Sequence, residues 1–144
     1  MILQLIVGST MTGINIVIHA CLTVATIRVA RASMSTSHPW RHLIGVMTAT
    51  VLVLMGTHIV EVLVWSIAYG LTDIAPEGSD LVYFAFVNYT TLGYGDITPV
   101  PQWRLLGPMT AMNGVLLFGW STAVIFEVLR RALSHHASFG ASFD

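Results

Sequence analysis

Residues 90–96 read Thr-Thr-Leu-Gly-Tyr-Gly-Asp and carry the most specific chemistry in this chain. A cation that sheds its water shell needs a ring of oxygen atoms in its place, and backbone carbonyls supply oxygens without a net charge. Successive carbonyls point at one axis only where the backbone enters conformations that most L-residues avoid, and Gly93 and Gly95 adopt these at low steric cost. Thr91 adds a hydroxyl oxygen. The segment therefore predicts a passage for dehydrated cations.

A second group of chemically capable residues lies inside an apolar run, where His58 and Glu61 share one face one helical turn apart. Ionisable side chains within a membrane segment are costly and usually face protein. Two interpretations stay open: a proton or metal sensor coupled to the cation passage, and a hydrogen-bonded pair that braces the neighbouring short helix. His19 could complete a site with them, although a lone histidine is more often a satisfied helix contact.

The composition places both groups in a membrane protein. Of 144 residues, 55% are hydrophobic and 9% are charged, and the mean hydropathy is +0.77. A soluble domain carries about 25% charged residues, so this chain has too few to cover a surface in water. The net charge of −1 excludes a basic face for nucleic acid. The single cysteine, Cys21, excludes an internal disulfide and a cysteine-based metal cluster.

Three apolar segments, at approximately residues 2–27, 43–69 and 105–129, are each long enough for a transmembrane helix of about 20 residues. The apolar stretch 81–91 is too short to cross and is followed at once by glycines, which predicts a re-entrant helix. Aromatic residues at the predicted span ends are expected at the membrane interface, whereas Trp120 is expected between helices. These interfacial residues are Trp40, Trp65, Tyr69 and Trp103.

Arginines lie in the first loop and after the third span, whereas acidic residues lie in the loop before residue 81. Because cytoplasmic loops are enriched in arginine and lysine, we expect the N-terminus outside and the C-terminus in the cytoplasm. The expected location is a bacterial inner membrane.

This order of segments, together with residues 90–96, closely resembles the pore-loop potassium channel family. The resemblance covers a pore domain at 43–131, with outer helix 43–70, pore helix 81–91, filter 91–96 and inner helix 104–130. Residues 1–42 would form an extra transmembrane helix and a cytoplasmic loop, and residues 132–144 a short cytoplasmic tail. The expected fold class is an all-α membrane protein with three transmembrane helices, a re-entrant pore helix and a filter loop, assembled as a tetramer.

The resemblance implies passive, potassium-selective conduction along the fourfold axis of a homotetramer, with no enzymatic activity and no cofactor beyond K⁺ ions in the filter. Asp96 matches the acidic residue at the outer mouth of the family's pore, where negative charge concentrates cations. Tyr83 and Phe84 are candidates for the aromatic cuff that braces the filter tyrosine in this family. The filter would be formed by Thr91, Leu92, Gly93, Tyr94 and Gly95, with K⁺ bound at the first four.

The sequence departs from the family pattern at two positions. Leu92 replaces the valine most common in potassium filters, which leaves its carbonyl unchanged. Val87 occupies a site where some bacterial members carry a glutamate that pairs with the mouth aspartate. Asp96 therefore needs another donor, such as a tryptophan or tyrosine behind the filter.

Two glycines in the third apolar segment are candidates for a gating hinge. Gly114 lies about where the family places a hinge in the inner helix, and Gly119 is a second candidate. Close packing between helices explains either glycine equally well.

Two other functions stay open. One is an auxiliary membrane subunit that binds haem or metal through His19, His58 and Glu61, and the other is a pore subunit that conducts only in a hetero-oligomer. Membrane lipid and an unidentified regulatory subunit are the further partners expected.

Overall fold

The computed structural model describes residues 1–32 and 39–140, with the side chains of residues 1–29 and 40–134. This part of the chain is all-α, as predicted. It contains α1 (Ile2–Ala32), α2 (Pro39–Thr72), α3 (Leu81–Tyr89), a 3₁₀ turn (Pro101–Trp103) and α4 (Leu106–Gly140). Three helices are long and apolar enough to cross a membrane, over Ile2–Val29, Trp40–Thr72 and Pro101–Ser134.

The helix bounds differ from the predicted ones by several residues at most ends, and two of these differences bear on the filter segment and the tail. The short helix α3 ends at Tyr89, two residues earlier than predicted, because Thr91 has a left-handed backbone with φ of 60°. The last helix continues to Gly140, so most of the predicted tail from residue 132 is helical. Glu127 supports this extension, since its carboxylate accepts from Arg130 at 2.7 Å and from Arg131 along the same helix face.

The short helix α3 packs against α2 and α4 with one face buried. Its N-terminus is capped by Asp80, whose Oδ1 accepts from the backbone N–H of Tyr83 at 3.0 Å. Its buried face packs into the main core, which is formed by Val62, Trp65, Tyr69, Ile74, Phe84, Ala85, Tyr89 and Leu106. Because apolar and aromatic contacts surround α3 on this face, its carboxyl end is held in a defined place.

The predicted interfacial role of Trp65 and Tyr69 is wrong. Both side chains are fully buried. The indole N–H of Trp65 donates to Asn113 Oδ1 at 2.9 Å, and the hydroxyl of Tyr69 bonds to Thr110 Oγ1 at 2.7 Å. These two aromatic residues lie on the face of α2 that packs against α3 and α4, so they join the helices of the core.

The N-terminal helix α1 packs against both α2 and α4. A Cβ atom built on Gly8 would lie 2.4 Å from Met109 Sδ, so α1 and α4 approach closely at this glycine. Gln4 accepts from the backbone N–H of Leu105 at 3.0 Å and donates to the carbonyl of Gln102. A polar side chain of α1 therefore bonds to the turn that leads into α4.

Candidate functional site

The filter segment, residues 91–96, begins as the C-terminal cap of α3. The N–H of Thr91 donates to the carbonyl of Asn88 at 3.0 Å, and the N–H of Leu92 donates to that of Val87 at 2.9 Å. These two bonds form a Schellman motif, in which the residue after the cap is left-handed and is usually glycine. Here that residue is Thr91, which makes the conformation more costly than glycine would. Strain of this kind concentrates at functional sites.

The backbone of the filter segment alternates between two conformations. The φ angles of Thr91, Gly93 and Gly95 are 60°, 60° and 79°, whereas Leu92 and Tyr94 between them are not in the left-handed region. A positive φ at every second residue is a conformation that glycine adopts at low steric cost, as predicted for Gly93 and Gly95. Residues 91–96 are all exposed in the single chain. One chain therefore presents a row of backbone groups that it does not itself enclose.

Asp96 bonds to a tyrosine donor. The sequence predicted a donor of this kind, because Val87 stands where some family members carry a glutamate that pairs with the aspartate. The hydroxyl of Tyr83 donates to Asp96 Oδ2 at 2.7 Å, and the N–H of Ile97 donates to Oδ1 at 3.1 Å. The bond from Tyr83 lowers the pKa of Asp96 below its ordinary value. The same bond is the largest cause that raises the pKa of Tyr83 to about 12.

The predicted aromatic cuff is not formed within one chain. Tyr94 is 67% exposed. Tyr83 bonds to Asp96, and Phe84 is buried with its ring centroid 5.2 Å from that of Tyr69 on α2. Phe84 therefore anchors α3 to α2.

Gly114 provides a close contact between α4 and α3. A Cβ atom at this position would lie 2.0 Å from the carbonyl oxygen of Tyr89, the last residue of α3. The same test at Gly119 finds nothing within 4 Å. Helix α4 is continuous through both glycines. The geometry at Gly114 favours the close-packing interpretation over a hinge.

Behind the filter segment, polar residues from all four helices meet in a buried histidine–glutamate cluster, formed by His19, His58, Glu61, Tyr89 and Ser121. Glu61 is fully buried and its carboxylate has three partners: His19 Nδ1 at 2.8 Å, His58 Nδ1 at 3.0 Å and the Tyr89 hydroxyl at 2.5 Å. The Nε2 atoms of both imidazoles face Ser121 Oγ, at 2.9 Å from His58 and 3.4 Å from His19. The pair at His58 and Glu61 is thus one part of a larger network.

Sequence reasoning missed two members of this cluster, Tyr89 and Ser121. Nothing in their local sequence separates them from other residues of an apolar helix. It also missed Asn15, whose side-chain N–H groups donate to Asn113 Oδ1 at 2.9 Å and to the carbonyl of Glu61 at 3.2 Å. The available signal was an amide side chain inside an apolar span, which usually faces protein.

The cluster offers a compact set of possible metal ligands. One donor atom from each of His19, His58 and Glu61 lies within 4.8 Å of the other two. As arranged, the two imidazoles do not form a bis-histidine haem site, since both Nδ1 atoms bond to the same carboxylate.

Comparison with known proteins adds one finding. A family model described as ion channel matches residues 57–131, just over half of the chain. The match takes in the second half of α2, all of α3, the filter segment and most of α4. No curated protein and no solved structure matches the chain.

Proposed function

The chain belongs to the ion channel family, and from this premise we propose that it conducts K⁺ selectively and passively through residues 91–95. The alternating backbone of this segment is the observation that carries the proposal. Carbonyl oxygens turned to one side can replace the water shell of K⁺ without binding it so tightly that it cannot leave. Thr91, Leu92, Gly93 and Tyr94 would bind the ions, and Gly95 would complete the filter.

Four copies of the chain would enclose the ion. A single row of carbonyls cannot surround a cation, and the exposure of residues 91–96 in one chain supports an arrangement in which neighbouring copies cover them. Tyr94, 67% exposed in the single chain, would find its aromatic contacts on the next copy. In a homotetramer the four equivalent segments meet on the symmetry axis.

The proposed orientation places the filter segment and Asp96 near the outer face of a bacterial plasma membrane. The paired arginines Arg130 and Arg131 support a cytoplasmic position for the end of α4. The carboxylate of Asp96, held ionised by Tyr83, would then attract cations to the outer mouth.

Flux measurements on the purified full chain in liposomes test the proposal. We expect K⁺ flux well above Na⁺ flux, blocked by Ba²⁺, and a native mass of four chains. Failure to form an oligomer, or equal flux of the two cations through an intact tetramer, would contradict the proposal.

A matched pair of glycine variants tests the role of the filter backbone. Gly93→Ala adds a methyl group where φ is 60°, with its nearest contact 4.0 Å away, and Gly78→Ala does the same where φ is 83° with nothing nearby. Both substitutions carry a similar conformational cost, about 1–2 kcal/mol, but only the first alters the filter. We expect Gly93→Ala to abolish selective flux and Gly78→Ala to retain it. Equal flux from the two variants would argue against the filter assignment.

A further inference from the structure

We propose that His19, His58 and Glu61 form a binding site for one divalent transition metal of the Zn²⁺ class, with the hydroxyl of Tyr89 as a neighbouring fourth donor. Imidazole nitrogen and carboxylate oxygen are the ligands that Zn²⁺ takes in four-coordinate sites. His58 and Glu61 are three residues apart on α2, a spacing at which helix bundles present ligands to metal ions. The site is additional to the proposed ion filter and is tested independently of it.

The buried carboxylate of Glu61 supports a bound cation. Glu61 is fully buried in the middle of a membrane-spanning helix, and among the described residues its only ion-pair partners are the two imidazoles. A buried carboxylate needs a positive charge close by. A metal ion between the three side chains would supply that charge.

The orientation of the two imidazole rings also suits a metal ion. Both Nδ1 atoms face the Glu61 carboxylate, and His58 Nδ1 also lies 2.9 Å from the Tyr89 hydroxyl. Both Nε2 atoms face Ser121 Oγ, which has two lone pairs to accept from them. The donor atoms that would hold the metal therefore converge on one point, and the opposite ring nitrogens share one partner.

Metal binding would use both sets of contacts. With Nδ1 of His19 and His58 bound to the metal, each Nε2 carries the proton and donates to Ser121 Oγ, which has two lone pairs. Histidine ligands almost always donate their second ring N–H to such a partner, and this bond fixes the orientation of the ring. The two rings already have this orientation.

The distances between the donor atoms and a groove that reaches them also suit a metal ion. Bonds of about 2.0–2.1 Å in a tetrahedral site place the donor atoms about 3.3 Å apart. The Nδ1 atoms lie 2.8 and 3.0 Å from the carboxylate oxygens, so a small outward movement would admit the ion. A groove of about 480 Å³ between α2 and α4 reaches the site, with Met55, His58, Ile59, Phe118 and Ser121 among its walls.

The site would tie the N-terminal helix to the ion filter. His19 belongs to α1, His58 and Glu61 to α2, and Tyr89 is the last residue of α3. Tyr89 precedes the strained residue Thr91 by two positions. Occupation by metal would therefore hold α1 against the helix that carries the filter segment.

The experiment is a titration of the purified, metal-stripped full chain with Co²⁺, followed by visible absorption and by elemental analysis of the bound metal. We expect one Co²⁺ per chain with the absorption bands of four-coordinate nitrogen and oxygen ligation, displaced by Zn²⁺. His19→Gln and Glu61→Gln should weaken binding at least tenfold. Ser121→Ala keeps all three ligands and removes the acceptor of both N–H groups, so it should weaken binding about 10–100-fold.

Two controls account for histidines elsewhere. His42→Gln removes a histidine from the same helix, about 24 Å from His58 along its axis, and should leave the titration unchanged. Replacing His38, His135 and His136, whose side chains lie outside the described ones, should also change nothing. Either control losing the bound metal would overturn the assignment.

Helical content and native mass show whether each variant is folded. Folded wild-type protein that takes up less than half an equivalent of Co²⁺ would overturn the proposal and leave the cluster as a proton-sharing network. Unchanged affinity in folded His19→Gln or in Ser121→Ala would overturn it as well. If the glutamine variants do not fold, the wild-type spectrum and Ser121→Ala decide the outcome. Metal uptake is measured without flux, so its failure leaves the channel proposal standing.

Discussion

At the scale of single residues, Tyr83 supplies the bond to Asp96 that a glutamate at the position of Val87 supplies in some family members. Val87 cannot bond to Asp96, and the Tyr83 hydroxyl, on the first turn of α3, does so at 2.7 Å. This bond lowers the pKa of Asp96. Since the pKa of Tyr83 is about 12, the phenol keeps its proton at every pH below about 10. The bond is thus present over the physiological range.

The lowered pKa of Asp96 predicts how acid acts on the protein. Because the folded-state pKa lies below the unfolded-state value of about 4, the unfolded chain takes up the proton first as pH falls. The stabilisation is complete above the unfolded value and is lost as pH falls through the folded value. Tyr83→Phe removes the donor and moves the folded-state pKa of Asp96 back toward the unfolded-state value, so we expect a lower thermal midpoint at pH 7 and a smaller acid-induced fall than in the wild type.

Thermal unfolding from about pH 7 to pH 3 checks this prediction. Asp96→Asn is the matched control: since asparagine cannot ionise, adding Tyr83→Phe should leave the pH dependence of its thermal midpoint unchanged. A Tyr83→Phe variant with the acid profile of the wild type would show that Asp96 gains little from the phenol.

At the scale of elements, the packing of α4 on the end of α3 determines where the filter segment starts. Gly114 lies directly over the carbonyl of Tyr89, and the next residues form the Schellman turn into Thr91. The strained conformation of Thr91 persists because helices on both sides hold α3 in place. The filter segment therefore depends on a helix-to-helix contact between Tyr89 and Gly114, which are 25 positions apart in the chain.

Gly114→Ala tests this contact. The added Cβ would lie 2.0 Å from the Tyr89 carbonyl oxygen, so α3 and α4 must separate. We expect a loss of about 1–3 kcal/mol in the free energy of unfolding, the usual cost of overpacking, together with reduced K⁺ flux. Gly119→Ala on the same helix has nothing within 4 Å and should be neutral or stabilising by up to about 1 kcal/mol. Denaturant unfolding in detergent measures both. Equal stability of the two variants would rule out a structural role for the close contact.

At the scale of the whole molecule, polar side chains along α1 form hydrogen bonds with α2, with α4 and with the turn before α4. Gln4 bonds to the turn before α4, Asn15 bonds to Asn113 and to the carbonyl of Glu61, and His19 bonds to the Glu61 side chain. Bonds of this kind between membrane helices contribute about 0.6 kcal/mol each, and up to about 1.7. The extra helix is therefore an integral part of the structure around α3.

Asn15→Leu tests the coupling of α1 to the rest of the chain. The substitution removes both bonds of the amide while keeping an apolar side chain of similar size, and we expect a loss of about 0.6–1.7 kcal/mol in stability. Val17→Leu, at a position 62% exposed on the same helix, is the control and should have no effect. Unfolding of the two variants in detergent gives the comparison. A neutral Asn15→Leu would mean that apolar packing alone holds α1.

The sequence by itself determined the features that depend on neighbouring residues. Hydropathy runs define the three membrane-length helices, and the short run at 81–91 followed by Gly93 and Gly95 predicts a re-entrant helix and filter, since burial in lipid and freedom at positive φ are properties of local residue types. The spacing of His58 and Glu61 likewise predicts their contact. The family match over residues 57–131 confirms the ion channel family that these motifs indicated.

Only the tertiary structure decided which distant residues meet. His19 reaches Glu61 across 42 positions and Ser121 reaches His58 across 63, and no local pattern encodes either pairing. Trp65 and Tyr69 resembled interfacial aromatics because their position near a span end says nothing about which neighbour covers them. The left-handed Thr91 is also a product of packing, because glycine would be the local choice there. The rotation and crossing angles of the helices are set by the sum of many long-range contacts. These angles determine which residues meet in the buried cluster and bring Gly114 against Tyr89.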